Sequence, residues 1–173
     1  MCIRDRLTTD QAMRMKTTIK SKILDWLQKH RKSLTPQERK FIKHHVNRTD
    51  TELPVFYLLA KVHKTPWSTR PIISCSGSLL YSVGIWVDRQ LQKIATQQPS
   101  YIKNSKSLKD MLLALELPPN AMLFTADAVS MYTNIDTTHA LHTIGTYLRH
   151  NQRLFAEVPL DALLEALTLV MTH

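Results

Sequence analysis

The sequence is poor in glycine, cysteine and aromatic residues, and it has no long hydrophobic run. Three of its 173 residues are glycine and eight are proline, which argues against a disordered chain. Two cysteines cannot make a disulfide-rich secreted scaffold. The two cysteines, Cys2 and Cys75, favour a reducing compartment. No apolar run reaches about 18 residues, which argues against a transmembrane helix. With 43% apolar and 21% charged residues, the composition is that of a globular chain.

Positive charge is concentrated in the first part of the chain. The formal net charge is +9, and residues 1–70 hold 16 Lys and Arg against 6 acidic residues. Residues 71–173 hold 7 basic residues against 8 acidic ones. This distribution favours a polyanionic partner such as a nucleic acid. An ordinary solvated helix surface would carry the same charge, so charge alone leaves both interpretations open.

Both ends of the sequence indicate a fragment. Residues 1–6 read like the translated mosaic-end adapter of a sequencing library, with no apolar stretch or cleavage site of a signal peptide. The pattern over 160–173 is an apolar helix without a stop signal. We therefore expect the native frame to begin near Leu7 and to continue beyond His173.

The hydrophobic spacing predicts a helix-rich α+β fold. One helix has a clear start, because Thr35 can cap it, Pro36 needs no N–H partner in the first turn and Glu38 can reach back to the cap. Ser107 and Asp136 are the expected caps of two later helices. Helices are expected over 9–32, 35–46, 79–95, 107–115, 136–149 and from 159 or 160 onward.

Two apolar runs predict an antiparallel hairpin with a basic tip. They span 55–62 and 70–75. We expect the first strand to be buried, and Cys75 to be buried at the end of the second. A shorter apolar run over 122–126 is expected to form a third strand that leads directly to Asp127.

Asp127 is the first candidate for chemistry. A carboxylate directly after a buried strand lies where sites on α/β sheets gather, and it can bind a hard cation such as Mg²⁺. The alternative is an aspartate that caps the turn following the strand. His139 and His142 have a spacing that permits metal binding but no convincing third ligand, so they are expected to be surface or partly buried helix histidines. Asp161 and Glu165 lie one helical turn apart and are expected to form a solvated face, not a catalytic pair.

The hairpin carries a second candidate site. Lys61, His63, Lys64 and Arg70 surround its tip. The planar fork of an arginine matches phosphate oxygens, and a lysine adds a mobile point charge, so this cluster could hold a triphosphate. An exposed loop kept soluble by its charges is the alternative.

The motifs occur in an order that resembles reverse transcriptases. Residues 56–64 (Phe-Tyr-Leu-Leu-Ala-Lys-Val-His-Lys) and 70–74 (Arg-Pro-Ile-Ile-Ser) resemble motifs of the fingers. Residues 123–134 (Leu-Phe-Thr-Ala-Asp-Ala-Val-Ser-Met-Tyr-Thr-Asn) resemble the first catalytic motif of the palm. The amino-acid sequences of these motifs, and that of residues 100–106, are most similar to those of Penelope-like retroelements. The resemblance covers residues 54–134. It implies the fingers and a partial palm of a right-hand polymerase.

The resemblance also implies roles for individual residues. Asp127 would be a metal-binding catalytic aspartate, and the backbone carbonyl of Ala128 would be a second ligand from the same motif. Tyr132 would be a steric gate that excludes the 2′-hydroxyl of a ribonucleotide. The implied contacts to the incoming deoxynucleoside triphosphate (dNTP) are Lys61, Lys64 and Arg70.

The implied activity is RNA-directed DNA polymerisation by two Mg²⁺ ions, with an RNA template, a DNA primer and a dNTP as partners. One carboxylate cannot hold two ions. The family supplies the others from a later Asp-Asp motif, and no adjacent Asp pair occurs in this sequence. We therefore expect the chain itself to be catalytically inactive.

We expect the chain to divide at two positions. Residues 1–6 would be the adapter, 7–53 a basic helical region and 54–173 the partial reverse transcriptase domain. We expect an intracellular protein without a membrane partner, and a nuclear location would suit a retroelement enzyme. Two alternatives remain: a non-enzymatic basic nucleic-acid-binding remnant and a helical protein-interaction module. The first shares the basic residues, whereas the second leaves the hairpin and Asp127 motifs unexplained.

Overall fold

The computed structural model describes residues 8–129 and 131–172, and of Tyr132 it describes the backbone alone. Six helices of nine residues or more, a one-turn helix and a two-stranded antiparallel hairpin lie in these ranges. The predicted α+β class is confirmed. The elements are α1 (Thr9–Lys29), α2 (Pro36–Val46), β1 (Val55–Lys61), β2 (Ser68–Ser74), α3 (Tyr81–Ala95), α4 (Ser105–Leu113), α5 (Met131–Asn134), α6 (Thr137–His150) and α7 (Leu160–Thr172).

Side-chain caps fix where the helices begin. At the start of α2, the Thr35 hydroxyl accepts a hydrogen bond from the Glu38 N–H at 3.2 Å, and the Glu38 carboxylate accepts one from the Thr35 N–H at 2.7 Å. This is the predicted capping box. The predicted cap of α4 is wrong: Asn104, not Ser107, precedes the helix and accepts from the Ser107 N–H at 2.9 Å. Asp136 caps α6 as expected.

The core is formed by α1, α2, α3, α6 and α7, and two tryptophans at its centre link four of these helices. The rings of Trp26 and Trp86 meet edge to face with centroids 5.2 Å apart. The Trp26 indole N–H donates to the Ala162 carbonyl at 3.0 Å, and the Trp86 indole N–H donates to the Glu38 carboxylate at 2.8 Å. Each buried N–H therefore has an acceptor on another helix, which fixes how the four helices pack.

Glu165 connects the end of α1 to α7. Its carboxylate accepts from the Lys29 ammonium at 2.7 Å and lies 2.8 Å from Nε2 of His30. Partial burial raises the pKa of Glu165, but the hydrogen bonds from His30 and Lys29 outweigh it and hold the pKa below its ordinary value. Of the two acids expected to form a solvated face, Asp161 is exposed, whereas Glu165 is half-buried and paired with Lys29 and His30.

The hairpin and the segment that follows α4 lie outside this core. β1 forms as predicted but its side chains are mostly exposed, because it is paired only with β2. Cys75 is exposed, not buried. Residues 122–126 form no strand, and their side chains are exposed. A strand needs a neighbouring strand to satisfy its backbone, and the described part of the chain pairs none with this segment.

No helix in the described ranges is both long enough and apolar enough to cross a membrane. The longest helix, α1, has 21 residues, but basic residues recur between its apolar residues.

Candidate functional site

The register of the hairpin brings Lys61 and Arg70 to the same face. Lys61 is paired with Ser68, and Arg70 is paired with Leu59. Directly opposed residues share a face, and so do alternate residues along a strand. Lys61 and Arg70 are therefore diagonal neighbours, with a backbone separation of about 7–8 Å. Their charges can reach a single polyphosphate.

The loop of the hairpin adds a third cation and an aromatic ring. Lys64 is exposed in the turn, where its N–H donates to the Lys61 carbonyl at 3.2 Å. The Thr65–Pro66 peptide bond is cis. Trp67 follows it, and 77% of its surface is exposed. The tip therefore presents Lys61, Lys64 and Arg70 together with a ring that a ligand can contact.

None of these three cations forms an ion pair with a carboxylate in the described part of the chain. Their charge is not neutralised by a described carboxylate, and salt screens it over about 10 Å at 0.1 M ionic strength. An arginine can donate two parallel N–H groups to phosphate oxygens, and the lysines can move to follow a flexible ligand. The arrangement suits a flexible anion with several charges.

Asp127 and Ala128 lie in the exposed segment without regular structure. The Asp127 carboxylate and the Ala128 carbonyl are oxygen donors of the kind that Mg²⁺ prefers. Residues 8–129 and 131–172 contain no cluster of three or more His, Cys, Asp or Glu side chains that could hold a metal. The donors are therefore of the right chemistry, but they do not complete a two-ion site.

The expected steric gate lies outside what the structure describes, since of Tyr132 only the backbone, in α5, is described. At the end of α5, the Asn134 side-chain amide donates to the Val129 carbonyl at 3.1 Å. The described hydrogen bonds and ion pairs do not join Asp127 to the hairpin. The structure thus brings Lys61, Lys64 and Arg70 to one end of the hairpin, and no described hydrogen bond or ion pair connects Asp127 to them.

Trp67 is the residue of this site that the sequence argument missed. A lone tryptophan within a basic turn was the available signal, because an aromatic side chain that is not needed in a core can contact a ligand.

Comparison of the chain with protein-family models, curated proteins and solved structures finds no match. Support for a function therefore comes from the residues of this chain and from their resemblance to polymerase motifs.

Proposed function

We propose that this chain is the fingers region and first palm motif of an RNA-directed DNA polymerase from a Penelope-like retroelement. In this proposal the hairpin binds the triphosphate of an incoming dNTP. The observation that supports it best is the placement of Lys61 and Arg70 on one face of the hairpin, with Lys64 in the adjoining loop. Motif order along the chain supports it independently.

Each cation has a distinct part in binding. Arg70 projects from a paired strand position, so its backbone is held by the ladder and its guanidinium can donate to two oxygens of one phosphate. Lys61 neutralises a second phosphate from the neighbouring strand. Lys64 is exposed in the turn and can follow the ligand as it enters. Positioning the triphosphate is the contribution we assign to this chain.

Asp127, the Ala128 carbonyl and Tyr132 keep their proposed roles in a complete enzyme. One carboxylate cannot supply the ligands of two ions, so in this proposal the chain alone performs no chemical step. A primer-extension assay with an RNA template, Mg²⁺ and dNTPs is expected to give no product. Template-dependent synthesis by the 173-residue chain would contradict this expectation of inactivity.

The position of Trp67 provides a direct binding assay. The other tryptophans, Trp26 and Trp86, are buried, so a nucleotide at the tip should change the emission of Trp67 alone. We expect dGTP to quench the fluorescence excited at the red edge of the tryptophan band. Arg70→Gln should weaken dGTP binding on the order of tenfold or more, the value of a lost charge-assisted hydrogen bond.

Two controls define the site. Arg153→Gln removes the same charge from another exposed position and should leave dGTP affinity unchanged. Trp67→Phe should remove the quenching caused by dGTP, while calorimetry should still detect dGTP binding. Equal affinities for Arg70→Gln and Arg153→Gln, or the absence of binding to the unmodified chain, would refute the triphosphate site.

A non-enzymatic nucleic-acid-binding remnant is the second candidate. The exposed basic side chains of α1 and α2 favour it, because they do not depend on Asp127 or on the hairpin. RNA binding without dGTP binding would select this candidate. If neither ligand binds, the helical protein-interaction module is the remaining alternative.

A further inference from the structure

A second basic region lies away from the hairpin, in a cleft beside α1. The cleft has a volume of about 530 Å³ and separates the first half of α1 from the connection that follows α2. Lys16 and Lys20 project from the helix, and Arg48 projects from the connection. Three cations from two chain segments therefore line one cleft.

The two lysines are arranged to act together. They are four residues apart on α1, so they lie on one face about 6 Å apart along the helix axis. Both are half-buried, which leaves the ammonium groups accessible while the stems cover apolar surface. Neither forms an ion pair with a described carboxylate, whereas Arg14 on the same helix pairs with Asp10 at 2.9 Å. Their charge remains available to an external anion.

Arg48 contributes charge but not a free fork. Its guanidinium donates to both oxygens of the Asp50 carboxylate, with Nε 2.8 Å from one of them. Glu52 is the one carboxylate among the described residues that line the cleft. A ligand with planar carboxylates would be bound best by an arginine whose guanidinium forms no ion pair within the protein. Lysine point charges suit phosphate, and Lys16 and Lys20 are the unpaired cations here.

From this arrangement we infer that the cleft binds the phosphodiester backbone of single-stranded RNA. No aromatic side chain is found among its described lining residues, so contacts to phosphate, not base stacking, supply the affinity. The hydroxyls of Thr17 and Thr51 donate to nearby backbone carbonyls and are fixed in place. The choice of RNA among polyanions rests on the proposed function, and the cleft adds a template contact outside the hairpin.

Anisotropy of a fluorescein-labelled 20-nucleotide RNA tests the cleft. The variant is Lys16→Gln/Lys20→Gln. Its matched control is Lys40→Gln/Lys43→Gln, which removes the same charge from exposed positions on α2. Each phosphate contact to a single strand contributes about 0.7 to the salt slope. The cleft variant should lower the slope by about 1.4 and weaken binding on the order of tenfold at about 0.1 M salt. The control variant should cause smaller changes in the salt slope and in the RNA affinity.

A charge-gain variant provides a second measurement that does not depend on weakened binding. Glu52→Gln should tighten RNA binding, because it removes the carboxylate within the cleft. Glu116→Gln, at an exposed position away from the cleft, should have a smaller effect. Circular dichroism confirms that each variant is folded.

Three outcomes would overturn the inference. Equal losses in the two double-lysine variants would mean that RNA binds a diffuse surface, while the proposed function would stand. Tighter binding of labelled polyglutamate through Lys16 and Lys20 would identify an acidic polypeptide as the ligand. Failure of every form to bind RNA would remove the cleft inference, and the Trp67 titration would still report separately on the triphosphate site.

Discussion

The helical core and the hairpin contrast in how their side chains are held. In the core, Trp26 and Trp86 are buried, and each indole N–H has an acceptor on another helix. In the hairpin and the segment after α4, apolar side chains face solvent; Met122, Leu123 and Phe124 are exposed by 93%, 80% and 87%. The residues that resemble polymerase motifs lie in the second region. Stability and the proposed function are therefore carried by different parts of the chain.

This separation has a practical consequence. A two-stranded hairpin contributes little stability by itself, and its cations contact no part of the core through a described ion pair. Substitutions at Lys61 or Arg70 should therefore change binding without unfolding the protein. Substitutions in the core should change the free energy of unfolding much more than substitutions in the hairpin or in the segment after α4.

Trp26→Ala and Trp67→Ala should differ most. Trp26 is 1% exposed and holds α1 against α3 and α7, so its loss should lower the free energy of unfolding by about 3–5 kcal/mol. Trp67 is exposed, and its loss should change that free energy by less than about 0.5 kcal/mol. Urea unfolding measures both. Comparable losses would mean that the hairpin is part of the core.

Glu38→Ala should have the next largest effect. It removes the carboxylate half of the capping box of α2 and leaves the buried Trp86 N–H without its acceptor. We expect the free energy of unfolding to fall by about 2–3 kcal/mol in urea denaturation. Glu157→Ala, at an exposed position, is the matched control and should fall within about 0.5 kcal/mol of the unmodified chain. Equal effects would mean that Glu38 does not couple the helices.

Acid should weaken the core in two stages. Burial lowers the pKa of His45 from its ordinary value of 6.5, as do the charges of Arg48 and His44, while Asp50 opposes them. Its neutral form favours the folded state, so its contribution to stability is present above pH 6.5 and is lost as the pH falls below that value. A single proton that His45 binds in the unfolded state but not in the folded state changes the free energy of unfolding by at most about 1.4 kcal/mol per pH unit.

The second stage belongs to Glu38 together with Glu165, whose pKa is also held below its ordinary value. Partial burial raises the pKa of Glu38, but hydrogen bonds from Thr35 and Trp86 outweigh burial and lower the pKa below 4.5. Its contribution is therefore present above pH 4.5 and is lost as the pH falls further. Urea midpoints measured between pH 7.5 and 3.5 should show both stages. His45→Gln should remove the first, whereas His44→Gln, at an exposed position, should retain it.

The smallest effect is expected in the segment after α4. Met122→Ser/Phe124→Ser should change the free energy of unfolding by less than about 0.5 kcal/mol, since both side chains are already exposed. Leu163→Ser is the contrasting variant, because Leu163 is fully buried in α7, and should lose at least about 2 kcal/mol in the same measurement. A large loss in the double serine variant would show that the segment packs against the core.

Local signals were sufficient where a helix carries its own cap and apolar stripe. The start at Thr35, the cap at Asp136 and the hairpin pairing followed directly from the sequence. The strand predicted over 122–126 does not form, because an apolar run becomes a strand only if another strand pairs with it. The expected burial of Cys75 is wrong for a different reason: Cys75 follows β2, and pairing in a ladder does not cover the faces of a hairpin.

The sequence predicts which residues form the cation site but not how they are arranged. The sequence identifies Lys61 and Arg70, but their common face follows from the register, which periodicity alone does not determine. The cleft at Lys16 and Lys20 was not predictable because Arg48 reaches it from a different chain segment. Positive charge was visible in the sequence, but its division into two sites was not.

The hairpin register also determines which length changes the gene can tolerate. Because side chains alternate along a strand, deleting one residue between Leu59 and Lys61 without a compensating bulge would move Lys61 to the face opposite Arg70. An extra residue in the turn would leave the paired positions unchanged. Among copies of this sequence that still bind the same ligand, insertions should therefore accumulate over 62–67, and the lengths of the two strands should be inherited unchanged.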